Sequence, residues 1–264
     1  MDPPATHGRP PFSTAVLHGG PGAAGEMAPV ARRLAAGRGV LEPFQSAASV
    51  DGQIDELGRT LRRYGRPPLT VIGFSWGAWL GLLLAAAHPD LVEKLILIGC
   101  GPLEEPRASR IETVRLSRLA RHERAEVRHL QQACLDPAEK DKNAFWARLG
   151  ALFSKADAYD PLPGRPEPMD PQAEVFESVW PEAAALRKSG RLLELAGRVA
   201  CPVRAIHGDF DPHPAAGVQE PLSRLLPDFR FHLLKNCGHK PWIERQAREA
   251  FFRTLEDELD EIDG

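Results

Sequence analysis

The 264-residue sequence predicts an α/β protein: a mostly parallel sheet of six to seven strands, flanked by helices and interrupted by a helical insert. Three observations carry this reading. In the first hundred residues short apolar runs alternate with helical patterns, as expected of parallel strands joined by crossover helices. Between about 103 and 199 the strand signal all but vanishes, and after 200 the alternation returns. The length suffices for one sizeable core carrying an inserted smaller unit.

STAVLH (13–18) reads as a strand ending in a glycine-rich turn, and MAPVARRLAAG (27–37) as a helix closed by Gly37. GVLEPF (39–44) is a second strand, and SVDGQIDELGRTLRRYG (49–65) a helix with its apolar residues on one face. LTVIGF (69–74) is a continuous β-rich run, suited to a central strand buried on both faces. It leads directly into SWGAWLGLLLAAAHP (75–89), a helix stopped at the proline, and KLILIGC (94–100) is the next buried strand. In the insert one helical stretch runs near 107–131. Another, near 138–156, places Phe145, Leu149, Leu152 and Phe153 on one stripe. DPLPGRPEPMDP (160–171) is too proline-rich for a regular element and reads as a loop. Ser189 is placed to N-cap a short helix running to Gly197. VRAIHG (203–208) as strand, AAGVQEPLSRLL (215–226) as helix, FRFHLL (229–234) as strand and a last helix from about 241 to 258 complete the chain. Residues 1–102 and 200–264 are therefore expected to form the core, and 103–199 a helical cap.

Composition excludes several classes. A hydrophobic fraction of 43% and a charged fraction of 26% are ordinary for a soluble globular protein, and the net charge of −3 leaves no basic footprint for nucleic acid. The longest apolar stretch, LGLLLAAA (80–87), is far below a membrane span. The N-terminus shows neither the basic nor the apolar region of a secretory signal. Cys100, Cys134, Cys201 and Cys237 lie far apart without a C-x-x-C pair, which reads as reduced thiols in a cytoplasmic protein.

The chemistry concentrates in four short segments. Gly73-Phe74-Ser75-Trp76-Gly77 is a G-x-S-x-G pattern at a strand-to-helix junction. Such a sharp turn exposes the serine and demands small neighbours, which Gly73, Gly77 and Ala78 provide. HGGPG (18–22) follows the earlier strand, and a glycine turn there can offer a backbone N–H to a forming oxyanion. Gly20 is the favoured donor, with Gly19 in reserve; Trp76, just after Ser75, supplies the second N–H. Neither G-x-G-x-x-G nor a P-loop lysine is present, so the turn does not read as a phosphate cradle and no cofactor is implied.

Nine histidines compete for the role of base. His232 lies within a strand, His88 ends a helix, His18 belongs to the turn, His122 and His129 lie on a polar helix, and His7 is N-terminal. His239 follows the last strand and precedes the last helix, at the sheet edge where functional groups converge in open α/β folds. The acid that orients it is expected in HGDFDPH (207–213), with Asp211 favoured over Asp209. Asp209 can instead fix the turn through an Asx-type bond. His207, Asp209, Asp211 and His213 also suggest a metal site, a reading set aside because a hydrolytic set is complete without one.

HGGPG, GFSWG, GDFD and CGH, in this order and at these spacings, resemble the α/β-hydrolase superfamily over nearly all of the chain outside the insert. HGGPG with tryptophan after the serine is most similar to the proline iminopeptidase-like branch. The resemblance implies a mostly parallel sheet with a helical cap between the sixth and seventh strands, and a triad of Ser75, Asp211 and His239. Because only about a dozen residues precede the first strand read, the N-terminal β-hairpin of such folds is expected to be reduced or absent. The implied activity is cofactor-free hydrolysis of a small ester, amide or activated C–C bond through an acyl-enzyme. An aminopeptidase acting on N-terminal proline is the alternative, and needs acidic residues in the cap; Glu104, Glu105, Glu112, Glu174 and Glu177 are available. A ligand receptor that keeps the scaffold without turnover is the alternative of another class. Trp79, Trp146, Trp180 and Trp242 read as core or cap-packing residues.

Overall fold

The structure, a computed structural model, describes residues 3–136, 139, 142–163 and 170–261. Its main sheet contains β1 (Ala5–His7), β2 (Phe12–Leu17), β4 (Gly39–Glu42), β5 (Leu69–Phe74), β6 (Val92–Ile98), β8 (Val203–Gly208) and β9 (Phe229–Leu234), in the order β1-β4-β2-β5-β6-β8-β9. Every neighbouring pair is parallel except β1 with β4. At the N-terminus β1 pairs antiparallel with β4 on the sheet edge rather than in a hairpin with β2, and the seven strands stand at the upper end of the six to seven expected. Two further dipeptides, β3 (Ala23–Ala24) and β7 (Asp170–Pro171), pair antiparallel outside that sheet. Part of the 160–171 segment is therefore paired, which a short edge bridge permits because a proline there need only accept; residues 164–169 lie outside the described residues.

Strand alternation explains why the sheet is buried on both faces. Ala15, Leu17, Val71, Leu95 and Leu97 join the core on one face, while Val16, Ile72, Ile96 and Ile98 join the core on the other. The first face is covered by α2 (Val50–Tyr64) and α3 (Trp76–Ala87), the second by α1 (Ala28–Leu34) and α11 (Arg248–Asp260). Ten of the twelve residues of α3 are buried, which accounts for its nearly uniform apolarity. Leu17 pairs with Gly73, Gly73 with Leu97, Ile98 with Ile206, and Gly208 with Leu234. The C-terminal ends of β2, β5, β6, β8 and β9 therefore open on one edge.

Between β6 and β8 the chain forms α4 (Glu105–Ala108), α5 (Ile111–Arg118), α6 (Arg121–Leu135), α7 (Lys142–Asp157), α8 (Ala173–Lys188) and α9 (Arg191–Ala196). Val127, Leu130, Leu149 and Leu152 give this region a small core of its own. The single stretch expected near 107–131 is three helices. It breaks at Leu119, whose backbone is extended, and Glu123 reaches back to accept the Ala120 N–H at 2.9 Å. The sequence reading lacks α8, which carries Pro181 in its interior yet buries Val175, Val179 and Ala183. Ser189 is not an N-cap: it closes α8, and the left-handed Gly190 (φ 79°) starts α9. The last helix also starts later than expected. A single 3-10 turn at Pro241–Ile243 comes first, and α10 (Ala216–Leu225) and α11 flank β9.

Candidate active site

Ser75 stands between β5 and α3 with φ 53° and ψ −112°, a left-handed backbone rare for a residue with a side chain. Its N–H donates to Ile98 O at 2.9 Å, holding the turn against β6. The flanking glycines are required by space. A Cβ on Gly73 would lie 2.2 Å from Gly77 O, and one on Gly77 2.4 Å from Leu17 O. The G-x-S-x-G pattern is thus a packing demand of the elbow.

HGGPG lies beside it. His18 is buried, and its Nδ1 lies 2.8 Å from Gly19 O; burial holds its imidazole below the usual histidine range. This fits the structural reading of His18. The Gly19 N–H is engaged, donating to Glu26 Oε2 at 3.0 Å. Among the described residues the N–H groups of Gly20 (φ 108°) and Trp76 have no acceptor. The N–H of the reserve donor, Gly19, is thus the one that is occupied. The other Glu26 oxygen pairs with Lys240 Nζ at 2.7 Å, joining this turn to the residue after His239.

Asp211 and His239 meet across the loops that follow β8 and β9, with Oδ2 accepting from Nδ1 at 2.7 Å. The Asp211 side chain is fully buried, and its other oxygen accepts from both the backbone N–H (2.8 Å) and Nδ1 (2.7 Å) of His213. Burial alone would raise this carboxyl; the neighbouring His239, His213 and His207 outweigh it and hold Asp211 well below the usual carboxylate range. Asp209, two residues earlier, instead accepts from Cys237 N at 3.3 Å and fixes the turn. The Phe74 ring stands 4.8 Å from the His239 ring, and Gly99, following the Ile98 carbonyl that holds Ser75, lies close against it. Ser75 is thus held between two residues packed against His239, its neighbour Phe74 and, through the Ile98 carbonyl, Gly99; no Ser75–His239 hydrogen bond forms among the described residues. Such bonds often close only when substrate binds.

Asp209 turns away from the other three residues weighed as metal ligands, of which His207 and His213 both face Asp211, at 3.5 and 2.7 Å. His207 Nε2 bonds His213 O at 2.8 Å, and Asp209 faces Cys237. The groups whose ligand atoms do gather, within 4.8 Å, are Asp211, His213 and His239. Both imidazoles there direct Nδ1 at the carboxylate, so hydrogen bonds join the three groups.

A cavity of about 300 Å³ opens over Ser75 and Trp76. Its far wall comes from the 103–199 region through Ile111, Glu112, Arg115, Phe153, Trp180 and Arg187. Trp79 and Trp180 stack at 6.0 Å and line one side. Arg115 is held bidentate by buried Asp157 at 2.8 and 2.6 Å, and Asp157 O accepts the His239 N–H at 3.0 Å. Glu244, fully buried, accepts from the N–H groups of Gly238, Tyr159 and Asp160 at 2.9, 2.9 and 2.8 Å. Through Asp157 and Glu244 the helical region is tied directly to the histidine loop. The sequence reading missed Glu26, Asp157 and Glu244, and assigned His213 only to a metal; their one sequence signal is proximity to HGGPG, the insert end and CGH.

The chain belongs to the alpha/beta hydrolase fold family, which it matches over residues 42–246. It is similar to the 2-hydroxymuconate semialdehyde hydrolase of Pseudomonas putida, with 25% identity over 212 residues, 74% of this chain and 63% of the relative. A monoacylglycerol lipase of Xenopus laevis is 24% identical over 208 residues, 78% of this chain and 60% of the relative. The chain thus spans less than two thirds of the length of either relative. A proline iminopeptidase structure from Mycobacterium smegmatis superimposes with a TM-score of 0.59 at 19% identity, covering 96% of this chain and 90% of that one. That likeness is one of fold. Among the described residues no helix is long and apolar enough to cross a membrane.

Proposed function

We propose that the protein is a serine hydrolase of a small ester, amide or activated C–C bond, working without a cofactor through an acyl-enzyme. Ser75 attacks, His239 takes its proton and returns it to the leaving group, Asp211 orients the imidazole, and the N–H groups of Gly20 and Trp76 hold the oxyanion. The observation that carries this reading is the 2.7 Å Asp211–His239 bond, buried at the sheet edge where the strained Ser75 also stands. The hydrolase relatives support the class. Residues 103–199 act as a cap that limits the site to small or medium substrates, supported by the helices that wall the cavity over Ser75. The stacked tryptophans suit an apolar acyl group. Four unpaired thiols, with burial pushing Cys201 up to about 11, suit the reducing cytoplasm.

The proline iminopeptidase alternative needs acids free to hold an amine. Of the five glutamates considered, only Glu112 lines the cavity, where Gln131 donates to it at 2.9 Å and Arg115 and Arg187 stand nearby. Glu105 is paired with Arg187 and Glu177 with Lys142. Arg115 and Arg187 are each neutralised by a carboxylate, Asp157 and Glu105, which leaves Glu112 as a single acid where an amine-binding site needs a pair, and this favours the ester or amide reading. A receptor without turnover has no use for a serine held at an elbow beside a buried acid and base. Turnover of p-nitrophenyl butyrate by the wild type, reduced about 10⁴-fold in Ser75→Ala with the fold retained, is the expected result. A Ser75→Ala variant keeping a tenth of the activity removes the serine from the mechanism, and absence of turnover on esters, arylamides and vinylogous diketones removes the enzyme reading.

A further inference from the structure

The site contains a second histidine that the hydrolytic roles do not use. His213 Nδ1 lies 2.7 Å from Asp211 Oδ1, so His213 and His239 share the two oxygens of one carboxylate. Their rings stack with centroids 4.4 Å apart and planes 28° from parallel. Burial pushes the His213 imidazole down to about 4, offset only in part by the adjacent Asp211, so the ring is neutral at neutral pH. With its one N–H on Nδ1 and donated to the carboxylate, Nε2 is left with a lone pair. The Asp211 side chain is fully buried, while His213 reaches the cavity over Ser75; the ring edge facing that cavity is therefore the one opposite Nδ1. No described residue bonds Nε2, and it is not among the polar atoms shut away from solvent.

We propose that His213 is a specificity-determining residue whose Nε2 accepts a hydrogen bond from a hydroxyl on the substrate's leaving group, making esters of diols or polyols the preferred substrates. The inference rests on the serine-hydrolase reading and places the hydroxyl by its chemistry. In acylation the Ser75 Oγ–carbonyl bond forms and the carbonyl–alkoxy bond breaks, and His239 Nε2 passes the serine proton to the departing oxygen. The leaving alcohol must then lie against His239 Nε2, one ring-stacking distance from His213. A hydroxyl on the neighbouring carbon of that alcohol comes within reach of the second imidazole. A neutral donor is favoured over an ammonium, because a cation there would face the imidazolium that forms on His239. Carboxylate or phosphate groups offer no donor and are not recognised at this point.

The test compares kcat/KM for 2-hydroxyethyl butyrate and propyl butyrate, whose leaving groups match in size, with p-nitrophenyl butyrate as reference. One net hydrogen bond predicts a preference of about 3- to 10-fold for the hydroxyl-bearing ester in the wild type. His213→Asn keeps a donor where Nδ1 sits and withdraws the Nε2 acceptor, and His213→Phe keeps only the stacked ring; both are expected to bring the ratio close to one. A merely structural role for His213 would lower all three esters by one factor and leave the ratio unchanged. A wild-type ratio near one, or a preference that survives both variants, overturns the inference while the hydrolase reading stands. Absence of Ser75-dependent turnover of all three esters overturns that reading and this inference together.

Discussion

Glu244 is the point at which removal of one side chain should loosen both the helical 103–199 region and the loop that carries His239. Its carboxylate is wholly buried and holds three backbone N–H groups: Gly238 just before His239, and Tyr159 and Asp160 where α7 gives way to the next loop. Glu244→Ala leaves all three donors without an acceptor in a space too tight for easy relaxation, since Gly238 already lies against Asp157 O and Ala158. At about 1–3 kcal/mol for each unsatisfied buried group, and allowing for partial rescue by water, the loss is about 3–6 kcal/mol. For a chain of this size that lowers Tm by about 6–24 °C. Glu244→Gln retains one acceptor and turns an N–H₂ toward the remaining donor, so it should lie between Ala and wild type. Scanning calorimetry reads the stability. Stopped assays with p-nitrophenyl butyrate well below either melting point read the geometry, where kcat should fall by more than KM rises because His239 is displaced. A Glu244→Ala protein that melts with the wild type and keeps its kcat would refute the reasoning, since three buried donors cannot lose their acceptor at no cost.

Further outcomes follow from the same contacts. Asp211→Asn should cost about 10⁴-fold in kcat by favouring the wrong imidazole tautomer, whereas Asp209→Asn should cost little beyond turn stability; the reverse order in steady-state kinetics would exchange their roles. Stability should fall with acid. His213 binds its proton near 6.5 when unfolded but only near 4 when folded, so its contribution is complete above about pH 6.5 and lost as pH drops to about 4, on the order of 3 kcal/mol. Urea titrations across that range showing no decline would remove this term. Gly77→Ala should lose at least about 1–3 kcal/mol, because its Cβ meets the Leu17 and His18 carbonyls, and a soluble variant with unchanged Tm would contradict the elbow packing. Activity should survive prolonged chelation; loss that zinc restores would promote Asp211, His213 and His239 to metal ligands.

Local pattern alone determined the six long strands, their parallel succession and the burial of both sheet faces. Those features rest on alternation within a few residues and on apolar helices such as 76–87, so they are written in adjacent positions. The glycines around Ser75 are legible for the same reason: the turn constrains residues two positions away. The tertiary structure decided what depends on residues far apart in the chain. Asp209 and Asp211 are chemically identical and differ by two positions; spacing favoured Asp211, and the placement of His239 gives it that partner. Position in the turn favoured Gly20 over Gly19, and Glu26, bridged to Lys240, is what engages the Gly19 N–H. The helix at 173–188 conceals itself behind Pro181 and exists because its buried face packs. The sharing of Asp211 by two imidazoles, and the three-donor grip of Glu244, join segments separated by up to 85 residues. A sequence lists such groups without saying which are neighbours; their hydrogen bonds form only after hydrophobic burial has set the loops side by side.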